Sequence, residues 1–258
     1  MSPMRALPVR CEDSNRSSSQ TKGTPMKSQK KLIVFDAYGT LFDVYSVWQS
    51  AESFFPGQGM ALAQLWRDKQ IDYTRIVSLS DPNSPNGSKF YESFWEITKK
   101  ALRYSAQKLN LELSTDHETQ LMRAYDRLEP FKENIQVLQA IKALGIKTAI
   151  LSNANKEMLE RVSQHAKMDT LFDQIVSVDQ VRQFKTHPST YALIEPLFKV
   201  NKSEILFISS NDWDALGATW FGWDAVWLNR QRAPKDQLGP QVAHMTHDLN
   251  SLLALIQV

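Results

Sequence analysis

Residues 31–43 read Lys31-Leu-Ile-Val-Phe-Asp-Ala-Tyr-Gly-Thr-Leu-Phe-Asp43. The apolar run from Leu32 to Phe35 ends abruptly at Asp36, with Gly39 and Thr40 close behind. A short apolar run closed by a turn signal fits a strand buried on both faces of a parallel sheet. An acid at its carboxyl end stands where open α/β sheets bind ligands. Burying a carboxylate without partners is costly, so Asp36 needs partners or chemistry. Taken alone, the same residue also fits a helix N-cap or a turn.

The pattern recurs downstream. Residues 133–144 carry apolar side chains at helical spacing and stop at Gly145, a favourable helix end. Ile146 to Leu151 reads as a strand running into Ser152 and Asn153, and 155–166 as a helix. Gln174 to Val178 reads as a third strand, followed by a polar loop with Lys185 and a helix through Tyr191. Glu204 to Ile208 reads as a fourth, ending in Ser209-Ser-Asn-Asp-Trp-Asp214. Strands alternate with helices, and polar residues follow the strands. This predicts an α/β fold, a Rossmann-like doubly wound parallel sheet with its site along the strand carboxyl ends.

Between Asp43 and Glu129 the period changes. Leu62, Leu65, Trp66 and Ile71, then Phe94, Ile97, Ala101 and Leu102, recur at helical steps. The stretch reads as an all-helical cap inserted after the first strand, with Ser78 to Ser88 a loop by composition. The expected organisation is a basic, disordered tail over 1–29, a core domain over 30–44 and 130–258, and a cap domain over 45–129.

Five pieces, in order, resemble the haloacid dehalogenase superfamily: Phe35-Asp-Ala-Tyr-Gly-Thr-Leu-Phe-Asp43, Leu65-Trp-Arg-Asp-Lys-Gln70, Ile150-Leu-Ser-Asn153, Ser177-Val-Asp179 with Lys185 and Tyr191, and Ile205-Leu-Phe-Ile-Ser-Ser-Asn-Asp-Trp-Asp-Ala215. The resemblance covers residues 31–256 and is to the L-2-haloacid dehalogenases rather than the phosphatases. The phosphatases carry a second Asp two residues after the nucleophile, where this chain has Tyr38. They also carry an acid four residues before the last Asp of the fourth motif, where this chain has Ser210. Magnesium favours carboxylate and phosphate oxygens, and these replacements leave too few. No metal and no cofactor are expected.

The resemblance implies hydrolysis of L-2-haloalkanoic acids to D-2-hydroxy acids and halide. Asp36 would attack C2 to give an ester, and Asp214 with Asn211 would orient and deprotonate the water that cleaves it. Lys185 would serve the nucleophile, and Arg67 the halide and substrate. The resemblance gives Ser152 to the substrate carboxylate, Asn153 to the halide and Thr40 to the support of Asp36. Tyr191 and Ser209 would orient Lys185 and Asp214, while Tyr38, Phe94 and Trp213 would wall the pocket. Outside these motifs Lys185 reads as a loop lysine, Arg67 as part of a solvated helix face, and Ser152, Asn153 and Thr40 as caps. The aromatics would then be plain core. Two departures stand out. Asp68 replaces a neutral amide after the arginine, and Thr186 follows Lys185 where proline is usual.

At 258 residues the chain can hold one sizeable core plus a cap. Residues 1–30 hold six Lys or Arg against two acids, so the overall +2 leaves the remainder at −2. No basic face argues for nucleic acid, and no apolar stretch is long enough for a membrane span. The tail lacks a signal peptide's apolar segment, and Glu12 and Asp13 count against an organellar address. The single cysteine, Cys11, permits no disulfide within the chain and fits a reducing, cytoplasmic setting. A homodimer through the cap is expected from the aliphatic and aromatic content of 90–128 and from the resemblance. Two other functions stay open: a hydrolase of the same fold acting on another small acid or a phosphate, and a binding protein that has lost turnover.

Overall fold

The computed structural model describes residues 29–256. The expected basic tail lies outside the described residues except for Gln29. The chain enters at β1 (Leu32–Phe35) and passes through α1 (Val47–Phe54), α2 (Gly59–Ser80), α3 (Phe94–Lys108) and α4 (Thr115–Tyr125). It continues through α5 (Asn134–Ala143), β2 (Lys147–Ser152), α6 (Lys156–His165), β3 (Gln174–Ser177), α7 (Pro188–Tyr191) and α8 (Ile194–Phe198). The last elements are β4 (Ile205–Ser209), α9 (Asp212–Phe221), β5 (Asp224–Leu228), β6 (His244–Thr246) and α10 (Asn250–Ile256).

Among the described residues the strands form one parallel sheet in the order β3-β2-β1-β4-β5-β6. This is the doubly wound α/β arrangement read from the sequence. All four residues of β1 are buried, as a central strand covered on both faces requires. Phe35 is level with Ile150 of β2 and Ile208 of β4. The strand order reverses at β1, so a crevice opens at its carboxyl end, and Asp36 stands there. The backbone N–H of Asp36 donates to Ile208 O at 2.9 Å, extending the pairing to this residue. Gly39 then turns the chain at φ 91°, a conformation that favours glycine.

Five α-helices lie between β1 and β2, of which α1 to α4 form the helical insertion before α5. On α2 the buried positions include Leu62, Trp66, Gln70, Thr74 and Ser78, each four apart, with Arg67 beside Trp66. The stripe is apolar at its start and polar after Trp66. Leu65 and Ile71, expected on the apolar face, are only partly buried.

Three readings change. Ser78 to Ser80 belong to α2, and the loop begins at Asp81. Serine-rich composition suggested a loop, yet Ser80 Oγ donates to Ile76 O at 2.7 Å, which a helix accommodates. The second strand spans 147–152 rather than 146–151, and the fourth 205–209 rather than 204–208. Finally, β5 and β6 extend the sheet beyond the four strands anticipated. No described helix is long and apolar enough to cross a membrane.

Candidate active site

Asp36 is buried, and its two oxygens have different surroundings. Oδ2 accepts from Thr40 Oγ1 at 2.9 Å and Asn211 Nδ2 at 2.8 Å, with Ser209 Oγ at 3.5 Å. Oδ1 faces Lys185 Nζ at 3.1 Å. Thr40 reaches Asp36 because the Gly39 turn folds it back. Its hydroxyl also accepts from the Ser210 N–H at 2.8 Å, tying the β1 and β4 loops together. Asn211 lies at the start of α9, where its amide spans Asp36 and the Tyr38 carbonyl at 3.2 Å.

Lys185 joins the two carboxylates. Its Nζ donates to Asp214 Oδ2 at 2.8 Å as well as to Asp36. Lys185 and Asp214 are both buried. Two like charges about 4 Å apart repel by roughly 4 kcal/mol at an effective dielectric near 20, and the ammonium offsets this. Burial opposes the charge on Lys185, but Asp214 and then Asp36 outweigh it and raise its pKa. Burial pushes Asp214 up to about 6, against the opposing pull of Lys185. The Tyr191 hydroxyl donates to Asp214 Oδ1 at 2.7 Å.

Arg67 enters from α2 and is buried rather than on a solvated face. Its Nη2 donates to Tyr38 O at 3.2 Å and Asn211 Oδ1 at 3.3 Å. Asp68 points to solvent, so the departure at this position does not neutralise the arginine. A cavity of about 430 Å³, in the range of small-molecule sites, is lined in part by Gly39, Arg67, Ser210 and Asn211. A larger groove of about 550 Å³, lined by residues of α1, α4 and the adjoining loops, contains none of these side chains.

The remaining expected residues divide. Ser152 and Asn153 are buried at the carboxyl end of β2. The Ser152 hydroxyl accepts from the Ala154 N–H at 3.2 Å, and Asn153 Oδ1 accepts from the Lys185 N–H at 2.8 Å. Asn153 thus positions the lysine backbone and leaves its Nδ2 as a donor. Phe94 is buried, with its ring 6.1 Å from Tyr38 and 6.3 Å from Phe184. Trp213 is only partly buried and lies under the Arg75 guanidinium, 5.4 Å from ring centre to carbon. The resemblance has Ser209, with Tyr191, orienting Lys185 and Asp214. Instead Ser209 touches Asp36 and accepts from the Asn211 N–H at 3.1 Å, because β4 brings it beside β1. Tyr38 Oη and Ser210 Oγ are buried without a partner among the described residues. Buried polar groups are seldom left so, and both are open to a ligand or water.

The sequence reading places Gln70 at the end of a matching piece but gives it no role; its Oε1 accepts from Arg67 Nη1 at 2.6 Å. Its signal was the spacing: residues three apart on a helix are neighbours. Phe184, packed against Phe94 and Tyr91, was also passed over.

A family model described as haloacid dehalogenase-like hydrolase matches residues 30–222. The (S)-2-haloacid dehalogenase H-109 of Pseudomonas putida is 41% identical over 222 residues, covering 85% of this chain and 95% of the relative. The crystal structure of the L-2-haloacid dehalogenase RSc1362 is 48% identical with a TM-score of 0.86, covering 90% of this chain and all of that one. The Xanthobacter autotrophicus L-2-haloacid dehalogenase, solved with chloropropionic acid covalently bound, is 32% identical with a TM-score of 0.80. It covers 89% of this chain and 99% of that one.

Proposed function

The chain belongs to the haloacid dehalogenase-like hydrolases, and we propose that it is an (S)-2-haloacid dehalogenase working through an Asp36 ester. One observation carries the residue assignments. A single buried ammonium, Lys185, contacts both Asp36 and Asp214, with the Arg67 guanidinium entering from α2 beside Asn211. The arrangement suits an anionic substrate and an anionic leaving group.

Asp36 Oδ2 is engaged by Thr40, Asn211 and, more weakly, Ser209, so Oδ1 is the freer nucleophile. Oδ1 attacks C2 opposite the halogen, the carbon–halogen bond breaks, and configuration inverts. Arg67 and Asn153 Nδ2 receive the departing halide, and Ser152 holds the substrate carboxylate. Holding the reacting atoms in line can be worth roughly 7–11 kcal/mol. Water then attacks the ester carbonyl, whose oxygen is the former Oδ2. Thr40, Asn211 and Ser209 are placed to stabilise the charge that gathers there. Asp214 takes the proton from this water and returns it to the departing oxygen, so the D-2-hydroxy acid leaves with the oxygen that was Oδ1.

We read α1 to α4 as a cap over the site. Tyr38 and Phe94 form its apolar wall, and the exclusion of bulk water strengthens the electrostatics beneath. Tyr38 and Ser210 replace the acids of a magnesium site, and Lys185 already supplies a cation shared by the two carboxylates. The reaction therefore proceeds without metal. The single cysteine, Cys11, suits a cytoplasmic setting. A homodimer through the helical insertion is supported by the exposed Ile76, Leu79 and Phe90. Light scattering at micromolar concentration tests it, and a monomer mass overturns it.

The deciding experiment is halide release from separate L- and D-2-chloropropionate with a chelator present. Release from the L-acid alone is expected. Strict dependence on added magnesium would favour a phosphatase-like reading.

A further inference from the structure

We propose that Gln70 and Thr98 form a buried relay that fixes the Arg67 guanidinium toward the leaving halide, making Gln70 a positioning residue for carbon–halogen cleavage. The proposal rests on the dehalogenase reading above. Gln70 and Thr98 are fully buried. Gln70 Oε1 accepts from Arg67 Nη1 at 2.6 Å, and Gln70 Nε2 donates to Thr98 Oγ1 at 2.6 Å. Thr98 Oγ1 in turn donates to the Phe94 carbonyl at 2.6 Å.

The direction of this chain is determined. A hydroxyl has one proton. Thr98 directs it at Phe94 O, so toward Gln70 it can only accept. The amide nitrogen of Gln70 must therefore face Thr98, and its oxygen must face Arg67. A flipped amide would set N–H against N–H at Arg67 and leave the Thr98 oxygen facing a carbonyl. Trp66 Nε1 donates to the Thr98 carbonyl at 2.7 Å, fastening α3 to α2 at the same point.

Arg67 depends on this anchor. Its two Nη2 contacts, at 3.2 and 3.3 Å, are long, and the Gln70 contact is the short one. The guanidinium is a planar fork, so fixing one nitrogen sets where the others point. The anchor is also neutral. A carboxylate at position 70 would hold the guanidinium equally well but would neutralise the charge meant for the halide. The relay ends on Phe94, whose ring faces Tyr38, so the pocket wall and the arginine share one support.

The test is single-turnover ester formation and ester hydrolysis with (S)-2-chloropropionate and (S)-2-bromopropionate, for wild type, Gln70→Met, Gln70→Glu, Thr98→Val and Thr98→Ser. Gln70→Met and Thr98→Val should slow ester formation about tenfold with chloride leaving and about threefold with bromide. Both are smaller effects than the roughly 10²–10³ of deleting a transition-state donor. Ester hydrolysis should be unchanged, and Thr98→Ser should retain wild-type rates. Gln70→Glu keeps volume and the Arg67 contact, so it reports even if Gln70→Met does not fold. It too should slow chloride departure more than bromide. Equal slowing of both substrates, slowing of hydrolysis alone, or wild-type rates in Thr98→Val and Gln70→Glu would overturn the relay while leaving the dehalogenase reading intact. Wild type that releases halide from neither acid would remove that reading, and the relay with it.

Discussion

The Tyr191 hydroxyl donates to Asp214 Oδ1 at 2.7 Å, on the opposite carboxylate oxygen from Lys185. A base saturated in this way has a fixed orientation and a tunable pKa. Burial raises Asp214 to about 6, while Lys185 and the Tyr191 hydrogen bond oppose the rise. Asp214 accepts a proton only when ionised, so ester hydrolysis should increase as pH rises through about 6 and level off above. Tyr191→Phe removes a donor to the charged form, which raises the pKa further. The acid limb of the hydrolysis profile should then move to higher pH. An unmoved limb would mean that Asp214 is not the titrating base.

Lys185→Met tests the charge balance. It leaves the Asp36 and Asp214 carboxylates without their shared cation, and breaking a buried pair typically costs about 3–5 kcal/mol. Asp214, already raised by burial and now without the lowering pull of Lys185, binds its proton more tightly in the folded state than in the unfolded one. A folded state that holds the extra proton loses stability as pH rises from the unfolded carboxylate pKa, about 4, through the raised folded value. Urea unfolding should therefore show a larger destabilisation, relative to wild type, at pH 8 than at pH 5. Equal destabilisation at the two pH values would count against this electrostatic account.

Gly217 on α9 packs under the lysine loop. A Cβ there would lie 2.5 Å from Thr186 Cγ2 and 2.6 Å from Tyr191 Oη. Gly217→Ala should destabilise the fold by about 1–3 kcal/mol, as overpacking does. It should also slow ester hydrolysis more than ester formation, because Tyr191 must shift away from Asp214. Denaturation and single-turnover kinetics on the same variant check both. Wild-type values for both would show that this contact does not constrain Tyr191.

The chain's tertiary arrangement was legible where chemistry and period coincide. β1 announces itself because a fully apolar strand can end in an acid only where that acid has partners, and Asp36 has four. Lys185 and Arg67 were identifiable only through their motifs, since neither a loop lysine nor a helix arginine signals burial by itself. The boundary at Ser80 was hidden because serine favours loops on average, while here its hydroxyl bonds back along the helix. The polar stripe of α2 escaped for a related reason. Hydrophobic periodicity marks apolar faces, and Gln70, Thr74 and Ser78 are buried by tertiary partners. Ser209 shows the same limit: its contact with Asp36 depends on β4 lying next to β1, which no local pattern encodes.

The asymmetry of Asp36 leads to an isotopic prediction. Oδ1 faces only Lys185 among the described residues, whereas Oδ2 is engaged by Thr40, Asn211 and Ser209. If Oδ1 attacks C2, the first product molecule carries an oxygen that belonged to the protein. Water attacks the ester carbonyl carbon, and its oxygen stays in the Asp36 carboxylate. A single turnover with enzyme in excess, in heavy-oxygen water, should therefore give unlabelled hydroxy acid. Mass spectrometry of the peptide containing Asp36 should show one heavy oxygen. Asp36→Asn should form no ester, because a neutral amide is a poor nucleophile at saturated carbon. Thr40→Val should slow hydrolysis of the ester more than its formation, since its hydroxyl serves the oxygen that gains charge in the second step. Label entering the product on the first turnover would mean that water attacks C2 directly, with Asp36 acting as a general base.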